Sequence, residues 1–430
     1  MVSGATGSNF AGDGYGLELP RTPEDLRAAG AAFLTRAFQA SGTLRAANRV
    51  SRVTELTEVS GGSTGRKAVL GLEYADPAPH LRTDLFVKFS RDLLDPKRDA
   101  GRTQMEQEVR LAELARHPAF PIVVPETLFA DYHAESGTGL LITERITFGD
   151  NGIEPHYDKC LDYEMPDQLG HYRVLITALA RLAGTDRAGR FPAELVARFP
   201  TDLQAATVGE RASVGPEELQ RKLVRLTDFV SAQPGLFRPF VRAEKFLAGL
   251  PATATVITAR EPDVWRLLKA DEDYIALCHW NANVDNAWFF RDIREDLACG
   301  LLDWGCVGRM HVAMALWGAL CGAEATLWDR HLDELLQLFV TEFTAAGGPE
   351  LDPEHLRTRL FQYVAIMGVA WLLDVPALLR ARLGDSLAGL TRADQRIADE
   401  EALRAPLQML TNVLDLWQRY DFGTVFADPG

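Results

Sequence analysis

The hydrophobic pattern of this chain changes character once, near residue 148, and that change limits the fold more than any other feature. From Val53 to Phe148 the apolar residues come in short runs: VTELTEV, KAVLGLEY, DLFVKFS, IVVPETLFADY and GLLITERI. Short runs rich in Val, Leu, Phe and Thr between turn residues read as strands. The first three predict antiparallel pairing, with GGSTGR as the tip of the first hairpin. One helix, RTQMEQEVRLAELARH, interrupts them, and Met105, Val109, Leu111, Ala112 and Ala115 form much of its apolar side. Beyond residue 148, HYRVLITALARLAG, PEELQRKLVRLTDFVSAQ, HLDELLQLFVTEFTAAGG and LRTRLFQYVAIMGVAWLLDV carry helical periodicity, and DNAWFF–RDIRED–LACGLLDW reads as one embedded hairpin. The pattern predicts an α+β chain in three stretches. Residues 1–50 are an N-terminal tail and helix, 51–148 a small antiparallel β-rich lobe, and 149–430 a large, mainly helical lobe. The Gly- and Ser-rich first ~20 residues are expected to be mobile. Thr22-Pro23-Glu24-Asp25 then opens a helix with an N-cap, a proline at the first position and acids in the first turn.

Length and charge narrow the class. The chain has 430 residues, 47 % hydrophobic and 24 % charged, enough for one large two-lobed unit or two to three small domains. A net charge of −15 argues against nucleic acid or an anionic membrane as the main partner. It would welcome a cationic ligand, although acidity is also a common solubility state of cytosolic proteins. Five cysteines (160, 278, 299, 306 and 321) without a CxxC pair indicate neither a disulfide framework nor a zinc site. No basic-then-apolar start and no run of ~18 uninterrupted apolar residues is seen, so a cytoplasmic location is expected. Oligomeric state is not legible.

Several motifs carry chemistry. Gly61, Gly62, Ser63 and Thr64, with Gly65, form a glycine-rich turn that can cradle phosphates through backbone N–H groups and hydroxyls. It is not a Walker loop, because it leads into a strand and lacks the Lys-Ser/Thr ending. A strand–glycine loop–strand hairpin is what kinase-type enzymes lay over ATP, and a plain turn is the equal alternative. Lys88 lies inside the apolar strand LFVKF. Such a lysine can pair nucleotide phosphates when a helix glutamate holds it. Glu108 is the first choice for that glutamate and Glu106 the second, against a snorkelling edge lysine. The strand GLLITERITFG would bring backbone groups near Glu144–Ile146 to an adenine edge, although many buried strands look like LLITE.

The segment from His279 to Asp303 is more specific. Asn286 and Asp303 supply an amide oxygen and a carboxylate at opposite ends of the predicted hairpin, the hard ligands that Mg²⁺ takes. The alternative is a turn asparagine and a capping aspartate. His279-Trp280-Asn281-Ala282-Asn283-Val284-Asp285-Asn286 followed by Leu301-Leu302-Asp303-Trp304 resembles the aminoglycoside phosphotransferase and choline kinase-like family, a branch of the protein-kinase-like fold. That family typically shows His-Gly-Asp-x-x-x-x-Asn and then an apolar strand ending in Ile-Asp-Trp. The resemblance extends loosely over residues 50–325. It implies a bilobal fold in which Lys88 and Glu108 anchor ATP or another nucleoside triphosphate. It further implies that Asn286 and Asp303 hold Mg²⁺, that His279 braces the catalytic loop, and that helices after 310 line the site of a small-molecule hydroxyl acceptor.

The departure is Asn281, where the family has its proton-accepting aspartate. An amide cannot be that base, and general-base assistance is typically worth ~10²–10⁴-fold. Positioning and electrostatics carry most of phosphoryl transfer, so the change slows the reaction without abolishing it. Asp285 is a possible replacement carboxylate, with a turn-stabilising aspartate as its alternative, or the acceptor needs no base. Trp280, where the family prefers glycine, is expected to crowd or reshape the pocket. The expected activity is ATP-dependent small-molecule phosphotransfer. The alternatives are a pseudokinase that binds nucleotide without turnover and AMP transfer on the same fold.

Overall fold

The computed structural model describes residues 10–59, 65–91, 98–203 and 215–426, with backbone alone over 98–103. The glycine-rich residues Gly61, Gly62, Ser63 and Thr64 lie outside the described residues. The chain forms two compact units. The first takes residues 1–153, 191–199 and 300–307, and the second takes 154–190, 200–299 and 308–430. The boundary therefore falls close to the change in hydrophobic pattern, while Asp303 returns to the first unit through a short excursion of the chain.

The first unit is built on a five-stranded antiparallel sheet in the order β1-β2-β3-β5-β4. Its strands are β1 (Val50–Val59), β2 (Lys67–Tyr74), β3 (Asp84–Phe89), β4 (Thr127–His133) and β5 (Thr138–Glu144). Two helices explain why the strands read as nearly continuous apolar runs, since each covers one face. Helix α1 (Pro23–Ala40) packs Leu26, Phe33, Leu34 and Phe38 onto Leu70, Leu85, Val87, Leu140 and Ile142. Burying a side chain such as Phe33 stabilises by about 1.5–3 kcal/mol. Helix α2 (Arg98–Leu114) covers the other face, where Met105 and Ala112 meet Tyr132 and Leu141. The alternation of β5 puts Leu140 and Ile142 on the α1 side and Leu141 on the α2 side. Thr22 caps α1 as expected, its hydroxyl accepting from Asp25 N at 3.1 Å.

Part of the N-terminal stretch expected to be mobile is docked instead, and residues 1–9 of it lie outside the described residues. Residues after Phe10 dock on the sheet because the buried Asp131 carboxylate accepts from Gly14 N at 2.9 Å and Tyr15 N at 3.0 Å. A backbone bond from Asp13 N to Tyr132 O reinforces it. Two further segments complete this unit. Helix α4 (Ala193–Val196) is short, and residues 300–307 attach through a parallel bridge between Val123 and Gly300.

The second unit is mainly helical. Its helices are α3 (Gln168–Arg187), α5 (Pro216–Ala232), α6 (Glu244–Ala270), α7 (Val312–Leu320), α8 (Ala325–Ala345), α9 (Pro353–Met367), α10 (Val375–Leu383), α11 (Gln395–Ala398), α12 (Glu401–Tyr420) and α13 (Phe422–Val425). Strand β6 (Ile275–His279) pairs with β9 (Val307–His311). The predicted hairpin is present as β7 (Ala287–Arg291) and β8 (Leu297–Leu301), with Asn286 directly before β7 and Asp303 two residues after β8. The stretch Pro353–Leu387, α9 with a π-helical turn at Gly368–Leu372 and the helix beyond, has the length and hydropathy of a membrane span. In this protein 61 % of its apolar window is buried, as in a core helix.

Candidate active site

The first unit assembles a charged cluster around Lys88. The β3 alternation that turns Leu85, Val87 and Phe89 toward α1 turns Lys88 toward α2. On α2, Glu108 lies three residues after Met105 and four before Ala112, so it shares their sheet-facing side. Lys88 Nζ donates to Glu108 Oε1 at 2.9 Å and Oε2 at 2.8 Å, and to Asp303 Oδ1 at 2.8 Å. Lys88 and Glu108 are buried, while the Asp303 side chain keeps 26 % exposure. Glu106, the second choice, instead pairs with Arg110 one turn on.

Electrostatics follow from two carboxylates sharing one ammonium. Burial works against the Lys88 charge, but Asp303 and Glu108 outweigh it and hold the ammonium above the ordinary lysine range. Burial pushes the Glu108 carboxyl up, with Lys88 opposing and Asp303 adding to the rise. The sequence reading missed a second cation. Lys67 stands directly opposite Lys88 in the β2–β3 register, so both side chains leave the same face of the sheet. Burial and then Lys88 lower its pKa, and Asp303 and Glu108 oppose that. The signal was available, because pairing KAVLGLEY with DLFVKF across a hairpin brings the lysines together.

Asp303 adopts φ 57 and ψ 60, the left-handed region that costs an aspartate free energy and recurs at functional sites. Leu301 N bonds to Val123 O at 3.0 Å before it, and Trp304 Nε1 donates to Leu301 O at 3.1 Å after it. The partly exposed carboxylate is a hard oxygen donor that a divalent ion can reach. Glu144, expected at an adenine edge, has its N–H committed to Glu126 O at 2.8 Å and so cannot offer it to a base. Ile146 follows the end of β5 and is half-buried. Gly65, the described end of the glycine-rich turn, has φ +149 and leaves only 2.0 Å between an added Cβ and Phe89 O.

The second unit holds His279 to Asn286, the residues expected from the sequence to form a catalytic loop. His279 ends β6 fully buried, and its Nδ1 accepts from Asn281 N at 3.2 Å, closing the turn. Three asparagines then bond among themselves. Asn283 Nδ2 donates to Asn281 Oδ1 and Asn286 Nδ2 donates to Asn281 O, each at 2.8 Å. Asn286 thus commits its amide nitrogen to the loop, and its amide oxygen is the atom of the type that a hard divalent ion takes. Among the described residues no group of three or more His, Cys, Asp or Glu is placed to hold a metal.

Asp285 is held from two directions. Its Oδ2 lies 3.4 Å from Lys159 Nζ, and its backbone O meets His156 Nε2 at 3.0 Å. Its Oδ1 is buried without a hydrogen-bond partner among the described residues. Burial raises the Asp285 carboxyl, with Lys159 opposing. Nothing in the sequence marked Lys159. Trp280 differs from its expectation, because its ring is buried and its Nε1 donates to Tyr363 OH at 2.9 Å instead of crowding a pocket. Gly318 in α7 permits this packing, since a Cβ there would stand 1.5 Å from Trp280 O.

No protein-family model matches the chain, and no curated protein matches it. Among solved structures it is similar to a spectinomycin phosphotransferase in complex with ADP and spectinomycin. Identity is 12 %, coverage 86 % of this chain and 94 % of that one, and the TM-score 0.41. It is also similar to an aminoglycoside 2'-phosphotransferase in complex with GDP, at 15 % identity, 84 % and 94 % coverage and a TM-score of 0.38. A choline kinase from Cryptosporidium parvum gives 11 % identity, 87 % and 93 % coverage and a TM-score of 0.41. Superposition this loose transfers no residue roles, which rest on the chain's own geometry.

Proposed function

We propose that this chain is a cytoplasmic, ATP-dependent phosphotransferase acting on the hydroxyl of a small molecule. The observation that carries the reading is Lys88, buried on the sheet and bound at once by Glu108 and Asp303 at 2.8–2.9 Å. An ion pair this buried is hard to justify by stability alone. A lysine fixed by a helix glutamate is what pairing of the α- and β-phosphates of ATP or another nucleoside triphosphate requires. Asp303 and Asn286 are the residues assigned to Mg²⁺, which when bound neutralises phosphate charge.

The residues then divide the work. Glu108 orients Lys88; Gly61, Gly62, Ser63 and Thr64 are assigned to the phosphates; and Ile146 offers backbone groups to the base. His279 fixes the loop geometry by accepting from Asn281 N. Asn281 orients the acceptor hydroxyl without taking its proton, so turnover is slow. Asp285 is assigned as the carboxylate of the loop, with Lys159 Nζ 3.4 Å away opposing the burial that raises it.

One observation favours a second reading. The Asn281 side chain is itself bonded to Asn283, as in a loop kept for binding and not for turnover. The experiment is titration of ATP with and without Mg²⁺, followed by phosphate transfer to a panel of alcohols, in wild type, Lys88→Met and Asp303→Asn. The first reading expects Mg²⁺-dependent binding and transfer that both variants lose. Binding without transfer to any acceptor selects the nucleotide-binding protein, and full activity in Asp303→Asn removes Asp303 from the metal.

A further inference from the structure

Arg404 lies on the buried side of α12 and is 8 % exposed. Its Nε donates to Lys159 O at 2.8 Å and its Nη1 donates to Ala398 O. Among the described residues it has no ion-pair partner within salt-bridge distance. Arginine stays protonated in proteins, and a buried cation without an anion is costly. Two carbonyl oxygens ease that cost but do not cancel the charge.

The same arginine lines a cavity of about 200 Å³ in the second unit. Arg392 and Glu324 stand on its wall and pair with each other at 2.9 Å, which leaves one positive charge in excess. That excess stands against a chain whose net charge is −15. Cys160 and Ile397, both buried, give the cavity an apolar floor, and the exposed Tyr163 forms its rim. The volume lies below the ~300–1,000 Å³ of pockets for drug-sized ligands, so the space suits a metabolite of a few carbons. A clamp between the 159 turn and the end of α11 accounts for Nε and Nη1 of Arg404. It accounts for neither the cavity nor Arg392.

We propose that this cavity binds a small organic oxyanion, a carboxylate or phosphate monoester, with Arg404 and Arg392 pairing its oxygens and the apolar floor taking its carbon chain. The guanidinium fork matches the two oxygens of such a group. This site is independent of phosphotransfer and stands or falls by binding alone.

The test measures heat of binding and thermal stabilisation of the full chain with succinate, with glycerol 3-phosphate and with uncharged succinamide at constant ionic strength. At least one anion is expected to bind saturably while succinamide does not. Which anion binds identifies the oxyanion class. Arg392→Gln and Arg404→Gln are each expected to weaken that binding by at least about tenfold, the loss of one charge-assisted contact. Ala393→Trp, which narrows the mouth without touching a charge, is expected to remove it. If Arg404→Gln does not fold, Arg392→Gln and Ala393→Trp decide. The proposal is overturned if neither anion binds, if succinamide binds as well, or if binding survives both Arg392→Gln and Ala393→Trp.

Discussion

Lys67 and Lys88 stand on neighbouring strands as like charges in register, an arrangement that destabilises a sheet unless anions compensate. Glu108 and Asp303 supply that compensation around Lys88, and in the phosphotransferase reading Lys67 is the cation offered to an incoming phosphate. Lys67→Gln is therefore expected to weaken ATP binding by about tenfold or more, the worth of a charge-assisted contact, with little loss of stability. Calorimetric titration checks it, and unchanged affinity would return Lys67 to the sheet. Asn281 poses the opposite question. Asn281→Asp keeps an acceptor for Asn283 Nδ2 and adds a base. In the phosphotransferase reading it raises kcat by ~10²–10⁴-fold while leaving the KM for ATP unchanged. No gain in a variant that still binds ATP would favour the nucleotide-binding protein.

At the scale of elements, α7 fixes the loop before β7. Its buried Gly318 lies where a Cβ would stand 1.5 Å from Trp280 O, so Gly318→Ala must push helix or loop aside. Overpacking of this kind costs about 1–3 kcal/mol. Denaturant unfolding is expected to show that loss, together with reduced transfer activity, because the displaced backbone belongs to the loop carrying Asn281. Such a contact joins segments distant in sequence, and no local pattern announces it. The strands and the β7/β8 hairpin were legible because alternation and turn chemistry act over a few residues. So was the Lys88–Glu108 pair, since a lysine inside an apolar strand and a glutamate on an apolar helix face both need a partner. Lys159 and Arg404 were not legible. What distinguishes them is their contacts with Asp285 and with the cavity, and those depend on how remote helices pack. Glu144 was only partly legible for a related reason: LLITE reads as a strand, but only the pairing with Glu126 shows its N–H already used.

For the whole molecule, the buried carboxyls set how stability varies with pH. Burial raises Asp162 to about 7 and Asp415 to about 6, both far above an unfolded aspartate near 3.9. The folded state then binds protons that the unfolded state has released, so these groups stabilise at low pH and lose that contribution as pH rises from about 4 to 7. Asp271 works in the other direction. Burial opposes its charge, but His311, Arg359 and His355 hold its carboxyl far below the usual range, so its contribution starts to fall below pH ~4 and is fully lost only in strong acid. Melting temperature is therefore expected to be highest on the acid side of neutrality and to decline toward pH 8. Asp162→Asn isolates the cause. The amide still accepts from Tyr172 OH, which now meets Asp162 Oδ2 at 2.5 Å, but it has no proton to lose. Relative to wild type the variant is expected to gain nothing below pH ~4. Above that its advantage grows by at most about 1.4 kcal/mol per pH unit and levels off above pH ~7. Parallel melting curves for the two proteins from pH 4 to 8 would show that Asp162 is not the group whose burial bends the profile.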